Sequence, residues 1–189
     1  MEGYYDYTPT AELHRHLVIA GYLGDETRRI GYQLASLTGL PVTDLDRKIE
    51  HHAGKSVWEL IWSEGEGRYR ELERRYLGRL LDERPWSILT LGDGALIDAE
   101  NRRRVSAEAD LVVLDLDVAN VYWRLKATPA AAQEFWHPLH AGPLERFEQV
   151  RPFHQRREPG FAGADHRIAM LGRGGADVVE LLLGLIPEL

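Results

Sequence analysis

The chain has 189 residues, 44% of them hydrophobic and 28% charged. That is enough for one domain with its own core, and too ordinary for a disordered tail, a collagen-like repeat or a membrane bundle. Cysteine is absent, which excludes a disulfide framework, a zinc ribbon and a thiol nucleophile. With 23 Lys and Arg against 30 Asp and Glu, the net charge is -7, which argues against a duplex nucleic-acid partner but leaves room for a small anionic ligand held by a few arginines.

Residues 1–13 form a polar, tyrosine-rich extension without a basic segment leading into an apolar run, so no signal peptide is expected. HLVIAGY then reads as a β-branched strand. GDETRRIGYQLASLTG reads as a helix, with Ile30, Leu34 and Leu37 at helical spacing and Gly39 as its stop. LPVTDLD is a second strand. DRKIEHHAG and SVWELIWSEGEGRYRELERRYLGRLLDE are helical, the latter broken near Gly65, with Tyr69, Leu72, Tyr76 and Leu80 in one stripe. WSILTLG is a third strand closing on GDG, DAENRRRVSAEA a helix, DLVVLDLD a fourth strand and ANVYWRLKA a helix. Residues 127–160 are rich in Pro, Gly and His with broken periodicity, and are expected to be a lid. DHRIAML is a fifth strand and ADVVELLLGLI a closing helix. The longest apolar stretch, VVELLLGLIP, is far short of the ~20 residues that span a membrane.

Strands alternating with helices predict an α/β fold: three layers, α/β/α, around a five-stranded parallel sheet. Near-continuous apolar strands fit a sheet covered on both faces. Ligands in such folds sit at the carboxyl ends of the strands. Those ends carry GYLGDETRR, TDLD, GDG and LDLD.

Several motifs stand in a telling order. DLD brings Asp44 and Asp46. GEGRYRELE brings Tyr69, Arg70 and Glu73, and GDG brings Gly92, Asp93 and Gly94, followed by ALIDAENRR. Arg124 lies on the helix after the fourth strand, HPLH contains His137, and RREP contains Arg157. In this order the motifs resemble the shikimate kinase family of small P-loop kinases, over about residues 16–187. The resemblance implies a single P-loop-type domain with a lid. It implies that Asp46 bonds a ring hydroxyl and acts as general base, and that Arg70 and Arg157 clamp a carboxylate through their planar forks. It places Glu73 with Arg70 in the substrate motif, and has Gly92 and Gly94 present backbone N–H groups to the ligand. Asp44 becomes an outer-sphere Mg²⁺ ligand, Arg124 lies near the adenine, and His137 stands where the family's lid has an arginine. Asp93 replaces the middle glycine of the family's GGG turn. The implied ligand is a small anionic or polyhydroxylated ring acid.

The first motif departs from the kinase pattern GxxxxGK[ST]. Gly21 and Gly24 are kept, but Glu26 takes the place of the later glycine, Thr27 that of the lysine and Arg28 that of the Ser/Thr. A lysine bridges β- and γ-phosphates and a hydroxyl holds Mg²⁺; Thr27 and Arg28 supply neither. Two like charges ~4 Å apart repel by about 4 kcal/mol at an effective dielectric of 20, so Asp25 and Glu26 oppose a triphosphate. ATP and Mg²⁺ are therefore doubtful cofactors, with Arg28 an off-register phosphate clamp at best. The plain structural reading makes DET a cap whose acids favour the helix start. A sharper one puts Asp25 and Glu26 on a cationic or hydroxylated ligand. The plain reading of Arg70 and Glu73 is an i, i+3 helix pair, and that of DLD is turn and N-cap chemistry.

His14, His16, His51, His52, His137 and His140 lack HExxH-type spacing and read as surface residues. Trp58, Trp62, Trp86, Trp123 and Trp136 read as core and edge packing, Trp136 also as a lid residue. The expectation is a cytoplasmic monomer or small homo-oligomer, impaired in ATP-dependent phosphoryl transfer, with a pocket for a cyclic hydroxy-carboxylate and no nucleic-acid or membrane partner. An active kinase with a non-standard phosphate loop, and a non-kinase enzyme acting on a shikimate-like ring, stay open as alternatives.

Overall fold

The computed structural model describes residues 11–127 and 146–186. The first strand, β1 (His16–Gly21), is buried along its whole length. It leads into α1 (Gly24–Thr38). The chain continues through β2 (Val42–Asp44), α2 (Leu45–Ala53), α3 (Val57–Glu64) and α4 (Glu66–Asp82). Next come β3 (Ile88–Thr90), a 3₁₀ turn at Ala95–Ile97, α5 (Ala99–Glu108), β4 (Ala109–Asp115) and α6 (Val118–Ala127). Beyond the undescribed segment lie α7 (Val150–Phe161), β5 (His166–Ala169) and α8 (Gly175–Leu185).

The five strands form one parallel sheet in the order β2-β3-β1-β4-β5. The chain moves outward from β1 to one side through β3 and β2, and to the other through β4 and β5. The carboxyl end of β1 is thus the switch point where such sheets form a crevice. Helices cover the sheet, and its central strands are apolar, with Leu17, Val18, Ile19, Val112 and Val113 almost without exposure.

Local chemistry sets the helix ends. α1 turns Ile30, Gly31, Leu34 and Ala35 inward, and Gly39 closes it at φ 74°, a left-handed conformation that glycine adopts without a Cβ penalty. Gly31 seats α1 on β3, because a Cβ there would collide with Thr90. Ser56 and Glu59 form a capping box on α3, and Asp98 caps α5 through the backbone N–H groups of Glu100 and Asn101. Arg74 donates to the other Asp98 oxygen and ties α4 to that cap. The stripe of Tyr69, Leu72, Tyr76 and Leu80 is buried as expected.

Residues 150–160, placed with the lid in the sequence reading, lie in α7, which packs Val150, Arg157, Gly160 and Phe161 into the fold. Gly160 permits this, since a Cβ there would lie 2.5 Å from the Leu96 carbonyl oxygen. Residues 128–145 of the expected lid, with His137, Trp136 and His140, and most of the N-terminal extension lie outside the described residues. Three of the histidine and tryptophan assignments change. His16 is buried, its ring held between the Glu83 carbonyl at 3.2 Å and the Ser87 N–H at 3.2 Å, and burial lowers its pKa. Trp62 and Trp123 are exposed rather than packed, with Trp62 stacked on Trp58. Among the described residues no helix is long and apolar enough to cross a membrane.

Candidate functional site

Two groups of side chains meet at the carboxyl ends of β1, β2 and β3. The first surrounds the start of α1. That helix begins at Gly24, with Leu23 at the N-cap and no side-chain cap, so the DET segment lies inside the first turn instead of capping it. The backbone N–H groups of Glu26 and Thr27 both donate to the Leu23 carbonyl, at 3.0 and 3.2 Å. The Thr27 hydroxyl is buried and donates to the carbonyls of Gly24 (2.8 Å) and Leu91 (3.1 Å). Arg28 is bonded to Asp25 on the outer face of the turn. Arg124, reaching across from α6, is bonded to the Glu26 carboxylate and donates to the Met170 carbonyl at 3.2 Å. Both acidic residues of the turn are therefore engaged by arginines of the same chain.

Gly21 and Gly24 serve close packing. A Cβ at Gly21 would lie 3.1 Å from the Leu114 carbonyl oxygen, and one at Gly24 would touch the backbone of Gly92 and Asp93. Tyr22, buried between them, is bonded through its hydroxyl to Glu158 and stacks on His154 at 4.2 Å, fastening the loop to α7. Burial raises the pKa of the Tyr22 hydroxyl, with Glu158 reinforcing the shift.

The second group lies around β2, α4 and the turn after β3. Asp44 caps α2: one carboxylate oxygen accepts from the Arg47 N–H at 2.9 Å and the other from the Thr90 hydroxyl at 2.7 Å. Asp46, two residues on, turns toward the Gly92 backbone, where a Cβ would lie 2.8 Å from its carboxylate. The Tyr69 hydroxyl donates to Asp46 at 2.7 Å. Burial pushes the Asp46 carboxyl up to about 8, repulsion from Glu73 and Asp44 adds to the shift, and the Tyr69 hydrogen bond opposes it.

Arg70 donates to Glu73 at 2.5 Å and to Glu66 at 3.2 Å, and its guanidinium lies against Gly94, where a Cβ would strike it. Glu73 is fully buried, burial raises its pKa against the pull of Arg70, and its Oε1 has no hydrogen-bond partner among the described residues. Arg157 is buried on α7. It donates to Asp93 at 3.1 Å and to the Phe153 carbonyl at 2.9 Å, and it packs 3.3 Å from the centre of the Phe153 ring. Its Nε has no partner among the described residues, and burial lowers its pKa despite the Asp93 carboxylate.

The structure thus brings Asp46, Arg70, Glu73, Gly92, Asp93, Gly94 and Arg157 together, with Asp44 directly beneath. Arg28 and Arg124 lie at the α1 end. Arg70 and Glu73 form the expected helix pair, yet one member is completely buried. The sequence marks Tyr69 only as a core and motif position, whereas its hydroxyl is a polar member of the site. A tyrosine where the family motif has phenylalanine is the available signal. The roles of Glu66 and Thr90 have none.

A family model described as shikimate kinase matches residues 28–182. This chain belongs to the shikimate kinase family. It is 27% identical to the shikimate kinase of Persephonella marina over 91% of this chain and 99% of that one. It is 33% identical to that of Cereibacter sphaeroides over 82% of this chain and 74% of that one. The 39% identity to the Caulobacter vibrioides enzyme spans 54% of this chain and only about half, 50%, of that relative's length. Among solved structures, shikimate kinase from Acinetobacter baumannii in complex with shikimate superimposes with a TM-score of 0.79 at 23% identity, covering 92% of this chain and 93% of that one. A gluconokinase from Sinorhizobium meliloti gives 0.56 at 12% identity, covering 94% of each chain. These structures confirm the expected family fold.

Proposed function

We propose that this shikimate kinase family member is impaired in ATP-dependent phosphoryl transfer and keeps a pocket for a small cyclic hydroxy-carboxylate of the shikimate type. The observation that carries the reading is the Glu26–Arg124 pair over a helix that already starts at Gly24. A phosphate loop works by leaving backbone N–H groups free to cradle phosphate, with a lysine and a hydroxyl beside them for the γ-phosphate and Mg²⁺. Here the N–H groups of Glu26 and Thr27 are bonded to the Leu23 carbonyl inside the helix, and the buried Thr27 hydroxyl, its one proton shared between the Gly24 and Leu91 carbonyls, stands in the place of the lysine without its charge. A carboxylate stands on the arginine expected near the adenine. Asp44, expected to serve Mg²⁺ in the outer sphere, caps α2 and accepts one hydrogen bond on each oxygen. This donor set does not fit Mg²⁺·ATP.

The pocket half of the reading rests on Asp46, Arg70 and the Gly92–Gly94 turn converging at the ends of β2 and β3, in a fold shared with a kinase solved in complex with shikimate.

The test is thermal denaturation and calorimetry with ATP, with and without Mg²⁺, beside shikimate and related ring compounds. A ligand at a hundred times its dissociation constant stabilises by about 2.7 kcal/mol, which such scans resolve readily. The expected result is stabilisation by a ring compound and none by Mg²⁺·ATP. Binding of Mg²⁺·ATP with a dissociation constant below about 100 µM, together with turnover on shikimate, overturns it.

A further inference from the structure

Asp46 reaches the pocket with one of its two oxygens committed. Oδ1 accepts from the Tyr69 hydroxyl at 2.7 Å, whereas Oδ2 has no hydrogen bond among the described residues and the side chain keeps partial solvent access. Both oxygens lie against Gly92, where a Cβ would come within 2.8 Å of Oδ2 and 2.9 Å of Oδ1. Tyr69 is the one hydrogen-bond donor to this carboxyl among the described residues. The charged groups that bear on it are carboxyls that repel it: Asp44 from the end of β2, Glu73 from α4 and Asp93 from the turn after β3. The donor itself is held firmly. Tyr69 is 1% exposed within the buried stripe of α4, and the Arg70 guanidinium lies 5.0 Å from the centre of its ring. Glu73, bonded through Oε2 to Arg70, flanks the same hydroxyl. A tyrosine hydroxyl has one proton to give, and at 2.7 Å Asp46 receives it. A donor on a ring without freedom to move sets the rotamer of a side chain that its like-charged neighbours would otherwise turn outward.

We infer that Tyr69 is a positioning residue: its hydroxyl holds Asp46 Oδ1, so that Oδ2 is presented at a fixed angle to a hydroxyl group of the ligand. The inference rests on the pocket reading given above and adds the side chain that orients one of its contacts. A phenylalanine at this position fills nearly the same space and supplies no donor, so the effect belongs to a single oxygen atom.

The experiment titrates shikimate by calorimetry into the full chain and into Tyr69→Phe, Asp46→Ala and the double variant. Tyr69→Phe should bind shikimate about fivefold more weakly than the unsubstituted protein. Adding the same substitution to Asp46→Ala should cost less than about twofold further, because no carboxyl remains to be oriented. Equal losses in both backgrounds would make Tyr69 a packing residue and overturn the inference, as would unchanged affinity in Tyr69→Phe; either result leaves the pocket reading standing. No binding of shikimate by the unsubstituted protein overturns the pocket reading, and the inference falls with it. If Asp46→Ala does not fold or retains no measurable binding, carboxyl carbon NMR on the ligand-free unsubstituted and Tyr69→Phe proteins replaces the cycle. The Asp46 resonance should then move more than that of Glu73, and a larger movement at Glu73 overturns the inference.

Discussion

At the start of α1 the outer charge pair sits at the edge of solvent: Asp25 is 90% exposed, and its partner Arg28 bridges a single helical turn. Around α4 and the turn after β3 the charges lie inside: Glu73 has no exposure and Arg157 only 4% in its side chain. The first arrangement joins a carboxylate to an arginine where water already screens them, so the pair contributes little. The second holds charges that must be compensated by neighbours, because burying one alone is costly. One strand-end face therefore combines a region tolerant of sequence change with a region in which each residue constrains the next. The tolerant region is where the phosphate-loop pattern is missing, and the constrained one is where the acceptor motifs are kept.

The largest effect expected from that contrast comes from Arg157→Ala. It removes the guanidinium that bonds the partly buried Asp93, beside Glu73 and Asp46. Loss of about 3–5 kcal/mol of unfolding free energy is expected from denaturant titration. A loss below about 1 kcal/mol would show that the pocket is as well hydrated as the α1 turn, and would erase the contrast.

A second prediction concerns pH. The folded protein holds the Asp46 proton up to about pH 8, whereas an unfolded aspartate releases it near 3.9. The native state therefore binds more protons than the unfolded one between those values. This contribution is fully present below about pH 4 and is lost as pH rises through 8. Glu73 acts in the same direction. Asp46 keeps partial solvent access, which reduces the full linkage value. Asp46→Asn should flatten the slope and gain about 2 kcal/mol over the parent at pH 9, read from denaturation curves across pH 4–9. An unchanged slope would place the carboxyl in ordinary contact with water.

The same contrast explains which features can be read from sequence. The central strands are legible because a parallel strand covered on both faces is a continuous apolar run, as in HLVIAG and DLVVLD. α7 is not legible: VRPFHQRREPGF mixes two prolines with charges, and it becomes helical by packing Arg157, Gly160 and Phe161 against distant parts of the chain. The acceptor residues are legible as a set by their order. Their pairings are not, since Asp93 and Arg157 stand 64 positions apart and nothing at either position names the other. His16 escapes for a similar reason: its burial depends on accepting and donating groups at Glu83 and Ser87. Asp44 is open in the sequence between metal ligand and helix cap, and only the positions of the Arg47 N–H and the Thr90 hydroxyl show both of its oxygens engaged.

The smallest expected effect is the one that separates the two accounts of the α1 turn. Arg28→Ala removes an arginine bonded only to the exposed Asp25 among its described hydrogen-bond and ion-pair partners. An i, i+3 pair of this kind is worth less than about 0.5 kcal/mol, so stability should barely move. Nucleotide titrations should not move either, because Arg28 points its guanidinium back along the turn and α1 offers no free N–H groups at Glu26 or Thr27. If Arg28 were instead a phosphate clamp in a working kinase, its loss would abolish Mg²⁺·ATP binding and turnover while leaving the fold intact. That outcome would make the tolerant region the catalytic one and reverse the contrast between the two halves. The converse replacement sharpens it: exchanging Glu26, Thr27 and Arg28 together for Gly, Lys and Ser removes the carboxylate from Arg124 and restores the cation and the hydroxyl. Gain of Mg²⁺·ATP binding in that triple variant, with none in the parent, would locate the impairment in those three side chains.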